Sequence, residues 1–246
     1  MFIKDGIEQK EDVIHSFLMI GQANMAGRGE FKDGPVIRNR LCFMLRMGRW
    51  QMMREPVNPD RDIFEIRCHS GTSLAASFAN EYAIDKGEAV GLIPCADGGT
   101  AIDEWMPGEV LFDHAVMMTK LAMRSSKLSG IIWHQGESDC KNDELLYSYK
   151  DKFITMITEM RKELGAEELP LIIGELSENI SEAWNVGDRP AKMNKIFYEI
   201  ADEIPYCRVA SADGLSLKDD GIHFDAKSAR EFGKRYYETY RELEKI

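Results

Sequence analysis

Asp220 and His223 stand three residues apart in the run Asp219-Asp220-Gly221-Ile222-His223-Phe224, just before a long amphipathic stretch. An imidazole, with an ordinary pKa near ~6.5, can take up a proton and return it close to neutral pH. A carboxylate three residues earlier can orient that ring and stabilise its charged form. Three other runs hold residues of similar promise: Gly21-Gln22-Ala23-Asn24-Met25-Ala26-Gly27, Ala96-Asp97-Gly98-Gly99-Thr100 through Trp105, and His134-Gln135-Gly136-Glu137-Ser138-Asp139. Glycines let backbone N–H groups come close to a bound oxygen, and the Gln135 amide is a neutral donor. Donors of this kind, aimed where negative oxygen develops, give the largest stabilisation in attack on a carbonyl.

Elements that could position these runs are legible as short apolar segments alternating with helical patterns. The strand candidates are Ile14 to Ile20, Val90 to Cys95, Gly130 to His134, Leu171 to Gly174 and Tyr206 to Ala210. None shows clean polar alternation, as expected for strands covered on both faces. Amphipathic stretches lie between and after them, at Thr72 to Lys86, Leu111 to Leu128, Asp143 to Leu164, Arg189 to Glu203 and Asp225 to Leu243. Thr72 or Ser73 and Asp225 suit N-caps, and Gly87 and Gly165 suit helix ends. This order gives a parallel sheet with helices on both faces. Arg40 to Glu55 breaks the pattern; Met47-Gly48-Arg49 at its centre suits a hairpin turn inserted after the first strand, although a Met-rich helix also fits. In open sheets of this class ligands bind at the carboxyl ends of strands, and the four runs follow the first, second, third and fifth.

Bulk properties narrow the partners. The chain has 246 residues, 44% hydrophobic and 30% charged, with a net charge of −11. That length suits one domain, residues 1–246, with a core large enough to need neither disulfides nor a structural metal. The acidic field repels phosphate backbones and anionic lipid, so nucleic acid and membrane surfaces are poor partners. Five scattered cysteines (Cys42, Cys68, Cys95, Cys140 and Cys207) read as free thiols in a reducing compartment. Asp5, Glu8, Glu11 and Asp12 precede the first apolar run, the opposite of a secretory leader, which predicts a cytoplasmic protein or one whose leader has been removed. No His, Cys, Asp or Glu spacing resembles a metal site.

The four runs GQ[S]NMAG (with alanine here at the bracketed position), GGTAIDEW, WHQGESD and D-x-x-H, in this order, resemble the SGNH hydrolases. The resemblance is strongest to the sialate O-acetylesterase-like group, which includes the sixth carbohydrate-esterase family with its acetylxylan esterases. It extends from about Ile14 to the last helix. It implies a three-layer α/β/α fold with a five-stranded parallel sheet in flavodoxin-like order, no cofactor, and an acetylated carbohydrate as substrate. Carried over residue by residue, it places Ala23 at the nucleophile position, where its backbone also serves the oxyanion hole. Gly99 and Gln135 complete that hole, and Asp220 and His223 are acid and base. Gln22, Asn24, Glu137 and Trp105 fall in the same blocks as substrate or support residues. The run at 21–27 is not the G-x-S-x-G elbow of the α/β-hydrolases, because Met25 occupies the second glycine position.

Ala23 is the departure. A methyl group cannot attack a carbonyl, so the mapping predicts a chain without the serine mechanism but with the rest of the site. Two origins fit: a serine replaced to disable an enzyme, or a natural non-catalytic relative that binds acetylated glycans. Ser70, Ser73, Ser138 and Ser211 are hydroxyls elsewhere, but none follows the first strand.

Plainer readings stand beside these. Gly98-Gly99 can simply turn the chain, His223 can be a surface residue before a helix, and Gln135 with Glu137 can be a satisfied polar pair. Trp105 and Trp50 are candidate sugar platforms or core packing. The methionines at 44, 47, 52 and 53 suit gap filling, Arg189 is a weak candidate for substrate contact, and His15, His69 and His114 suit structural or surface work. A scaffolding domain that kept the motifs by chance is the third class of function.

Overall fold

The computed structural model describes residues 13–60 and 69–244. Cys68 and the acidic residues at 5, 8, 11 and 12 lie outside them. Strand β1 (Ile14–Gly21) leads into a one-turn helix α1 (Ala23–Ala26), then a hairpin of β2 (Cys42–Arg46) and β3 (Arg49–Met52). Helix α2 (Leu74–Lys86), β4 (Val90–Pro94), α3 (Val110–Ala122), β5 (Ser126–His134) and α4 (Asp143–Glu163) follow. The chain closes with β6 (Leu171–Gly174), α5 (Arg189–Glu203), β7 (Cys207–Ala210) and α6 (Ala226–Leu243).

The sheet has seven strands in the order β3-β2-β4-β1-β5-β6-β7, all parallel except β3. The five expected strands keep the flavodoxin-like order, with β1 between β4 and β5. The expectation of five strands is corrected by the hairpin, which extends the sheet: Cys42, Phe43 and Met44 pair in parallel with Val90, Gly91 and Leu92. Its turn is the one the sequence suggested, with Met47 and Gly48 both at positive φ (50° and 72°), as a tight two-residue hairpin turn requires.

Alternation along β1 divides the core between the two faces. Phe17 and Met19 pack with residues of α2 and α6, while Leu18 and Ile20 pack with residues of α3, α4 and α5. The α2–α6 side is rich in edge-to-face aromatic contacts, Phe17 touching Phe78, Tyr82 and Tyr240 at 4.8–5.3 Å between centroids. Ser73 caps α2 by accepting from Ala75 N, Gly87 ends it in the left-handed region, and Asp225 caps α6 by accepting from Ser228 N. The expected helix at 111–128 stops at Ala122, because Ser126 to Ser129 already belong to β5. Met44 and Met53 are buried, whereas Met47 and Met52 face solvent. No helix among the described residues is long and apolar enough to cross a membrane.

Candidate active site

The exit of β1 is built by glycine geometry. Gly21 pairs with His134 at a φ of 127°, and a Cβ there would sit 2.1 Å from the His134 carbonyl oxygen. Only glycine lets the strand continue so close to its neighbour. Beyond it, Gln22 N donates to His134 O at 2.8 Å, and Asp97 N donates to Gly21 O at 2.9 Å. These bonds carry the sheet's pattern one residue further and bring the exits of β1, β4 and β5 together. Ala23 then begins α1, buried but lining a cavity of about 320 Å³.

His223 closes that cavity from the C-terminal side, with Asp220 paired to its ring behind the wall. His223 Nδ1 lies 2.9 Å from Asp220 Oδ2, and the Ile222 and His223 backbone N–H groups donate to Asp220 Oδ1 at 3.1 and 3.0 Å. Partial burial works to raise the Asp220 carboxyl, but the backbone and imidazole donors outweigh it and hold it below its ordinary value. An ionised carboxyl only accepts, so Nδ1 carries the hydrogen and Nε2 is left to exchange a proton.

Asn24 joins the two halves of the site. Its Oδ1 accepts from Phe224 N at 3.0 Å, and its Nδ2 donates to Ile222 O at 3.2 Å and Glu137 Oε1 at 2.7 Å. His223 is thus gripped by the backbone on either side. Glu137 is buried, and its Oε2 has no partner among the described residues. His134 Nδ1 lies 3.6 Å from Glu137 Oε1, too far for a hydrogen bond. Burial lowers the His134 pKa despite that neighbour, and because a carbonyl only accepts, Nε2 donates to Glu175 O at 3.2 Å.

The donors divide unequally. Gly98 and Gly99 line the cavity; a Cβ on Gly98 would meet the Ala23 Cβ at 3.6 Å and Arg28 Nη2 at 2.7 Å, and Gly99 turns the chain at a φ of 80°. Gln135 does not reach the cavity. Its amide nitrogen donates to Thr100 O at 2.8 Å and Asp139 Oδ2 at 2.6 Å, and its oxygen accepts from Tyr149 Oη at 3.0 Å. Both amide hydrogens are committed here, so the side chain expected at the oxyanion hole instead turns away from the cavity and links the exits of β4 and β5 in this structure. Trp105 is likewise core: fully buried, with its N–H on Thr100 Oγ1 at 3.1 Å and its ring edge-to-face with Trp133. Trp50 covers Gly91 on the sheet, and Arg189 pairs with Asp143 at 2.8 Å. Ser73 is spent as a helix cap, and Ser211 donates to Glu175; Ser70 and Ser138 line the cavity.

Gln22 does line the cavity, buried, with Oε1 unpartnered among the described residues. Several other lining residues carry no sequence motif. Asn58 forms a reciprocal pair with the backbone of Ala96, both bonds 3.0 Å, which seats its loop on the end of β4. Trp184 stands at the mouth, 47% exposed, with its indole N–H on Asp220 O at 2.8 Å. Among the described residues no cluster of three or more His, Cys, Asp or Glu could hold a metal ion.

A parallel sheet with an Asp–His pair, a glycine turn and a strand-exit residue facing one cavity is the architecture of the SGNH hydrolase class. Residues 13–242 match the family model described as carbohydrate esterase, sialic acid-specific acetylesterase, and the chain belongs to that family. A probable carbohydrate esterase of Arabidopsis thaliana is 29% identical over 243 residues, covering 91% of this chain and 89% of that protein. A solved Arabidopsis thaliana structure superposes with a TM-score of 0.79 at 26% identity, covering 93% of this chain and 98% of the other. NanS shares the fold at a TM-score of 0.73 and 14% identity, over 95% of this chain and 98% of its own. XAC1771, a carbohydrate acetylesterase from Xanthomonas citri, does so at 0.63 and 18%, over 93% of this chain and 56% of its own.

Proposed function

We propose that this chain binds an O-acetylated carbohydrate between Ala23 and His223, and that serine at position 23 makes the same site an O-acetylesterase. The observation that carries this reading is the Asp220–His223 pair, held at 2.9 Å, with its imidazole on a cavity that Ala23 and the Gly98-Gly99 turn also line. A volume of about 320 Å³ falls at the lower end of small-ligand sites and suits an acetyl group with part of one sugar ring.

In the serine form, the hydroxyl attacks the acetyl carbonyl and its proton passes to His223 Nε2. Negative charge grows on the carbonyl oxygen, which faces the backbone of residue 23 and the glycine turn. The tetrahedral species collapses as His223 returns the proton to the departing sugar oxygen, leaving an acetyl-enzyme. Water then gives a proton to His223 and attacks the acetyl carbon; the ester bond to the serine breaks, His223 passes that proton to the serine oxygen, and acetate leaves. Asp220 keeps the imidazole in the useful tautomer throughout. With alanine at 23 the first bond cannot form, and the site retains binding without turnover by this route.

The test is hydrolysis of a chromogenic acetate ester by the chain and by its Ala23→Ser form. Activity is expected only in the serine form, and His223→Ala in that background should remove about six orders of magnitude of kcat, down to what binding and the oxyanion donors supply alone. A folded but inert Ala23→Ser protein overturns the catalytic part. The methyl at position 23 favours a second reading, an acetyl-glycan-binding protein, which then stands or falls on calorimetric titration with acetylated oligosaccharides.

A further inference from the structure

The proposed reading leaves open how a sugar ring is held once its acetyl group is in place. Trp184 is the large apolar side chain that lines the cavity and is still 47% exposed. It ends a short 3-10 turn, Glu182–Trp184, whose N-cap Ser181 accepts from Ala183 N. Asn185 follows at a φ of 53°, in the left-handed region, reversing the chain so that Val186 returns, buried, to the cavity wall.

This turn is fastened to the Asp220–His223 segment at several points. Ser181 N donates to Gly221 O at 2.8 Å, and Trp184 Nε1 donates to Asp220 O at 2.8 Å. Gly221 packs so tightly that a Cβ there would meet the Ser181 Cβ at 2.4 Å. The indole is therefore fixed by its polar edge while a large part of its surface stays open. An exposed, pre-positioned indole loses little entropy when a ligand covers it, and its flat apolar face suits the C–H face of a pyranose. Val186 and Ile222 extend the apolar wall beside it.

We infer that Trp184 is a sugar-binding platform, a specificity-determining residue that stacks on the pyranose ring of an acetylated glycoside whose ester reaches position 23. The inference rests on the functional reading above. The platform presents the sugar to the same segment that carries His223, because the indole is bonded to the Asp220 carbonyl.

Two arms test it. In the Ala23→Ser background, kcat/KM is measured on peracetylated methyl xylopyranoside and on ethyl acetate, which has no ring to stack. Trp184→Ala should lower the ratio of the two values about tenfold, the equivalent of one lost aromatic contact. Trp184→Phe, which keeps a flat face but loses the bond to Asp220 O, should recover most of that ratio. An unchanged ratio in Trp184→Ala, with both esters slowed alike, overturns the platform and leaves a positioning residue. In the second arm, the Ala23 chain itself is titrated calorimetrically with the same xyloside. Trp184→Ala should weaken binding about tenfold, and equal binding overturns the inference. If Ala23→Ser hydrolyses neither ester, the catalytic reading fails and the binding arm still decides the platform.

Discussion

Replacing Asn24 by alanine should separate the frame of this site from its chemistry. The substitution removes three hydrogen bonds, from Phe224 N and to Ile222 O and Glu137 Oε1. The two backbone groups flank His223 and the carboxyl is buried, so the loss is a set of partners inside the protein. A buried polar group left without a partner costs about 1–3 kcal/mol. Two backbone groups, with some relief from water entering the cavity, give roughly 2–4 kcal/mol of lost stability. With a urea slope of about 3 kcal/mol/M, the unfolding midpoint should fall by roughly 1 M. In the Ala23→Ser background, the freed loop should lower kcat on a chromogenic acetate by about a hundredfold, since displacement near 1 Å is enough for that. Glu137→Gln keeps an oxygen for Asn24 and should be milder in both assays. The reasoning is refuted if Asn24→Ala leaves the midpoint and kcat unchanged, because His223 is then held by something other than this bridge.

Asp139 gives a pH signature. Burial pushes its carboxyl up to about 6, against the bonds it accepts from Gln135 and Ile102 N. The native state therefore keeps a proton that the unfolded chain has released, and stability falls as pH rises from about 4 to about 6, by at most roughly 3 kcal/mol. Asp220, held low, acts in the opposite sense, adding stability that is lost as pH falls. The quantity to follow is thus the difference between the parent and Asp139→Asn, whose urea midpoints should converge as pH rises; parallel curves would count against the shift. Glu55 accepts from Ser73 N and from Arg230 in a nearly buried pair. Glu55→Ala should cost about 3–5 kcal/mol by stranding the guanidinium, and adding Arg230→Met should recover part of the lost thermal midpoint. A double variant less stable than the single would show that the arginine is not stranded.

The parallel core was legible because its strands are short apolar runs and its helices carry caps such as Ser73 and Asp225, both local signals. The hairpin's pairing with β4 was not, since contact between Cys42–Met44 and Val90–Leu92 leaves no mark in either segment. Nor was the start of β5, where Ser126 to Ser129 are too polar to read as a strand. The site divides along the same line. Asp220 and His223 lie within one turn of chain, so their spacing encodes their contact. Gln135 lies in a motif that specifies residue type but not direction, and the side chain turns inward to Thr100, Asp139 and Tyr149. Trp184 belongs to a loop whose position depends on Gly221, thirty-seven residues later, and its own neighbours in sequence say nothing of the bond to Asp220.

The bond between Asn24 and Phe224 spans 200 residues. A growing chain emits β1 and Ala23 early, yet the imidazole that faces them comes from a segment synthesised much later, after every strand of the sheet has appeared. Closing so long a loop is entropically cheaper once the intervening elements have folded and brought its ends together. Ligand binding at this cleft would therefore report on completion of the fold: a polypeptide halted before residue 224 contains the sequence of all seven strands, yet lacks both α6 to cover one face of the sheet and Phe224 to clamp His223.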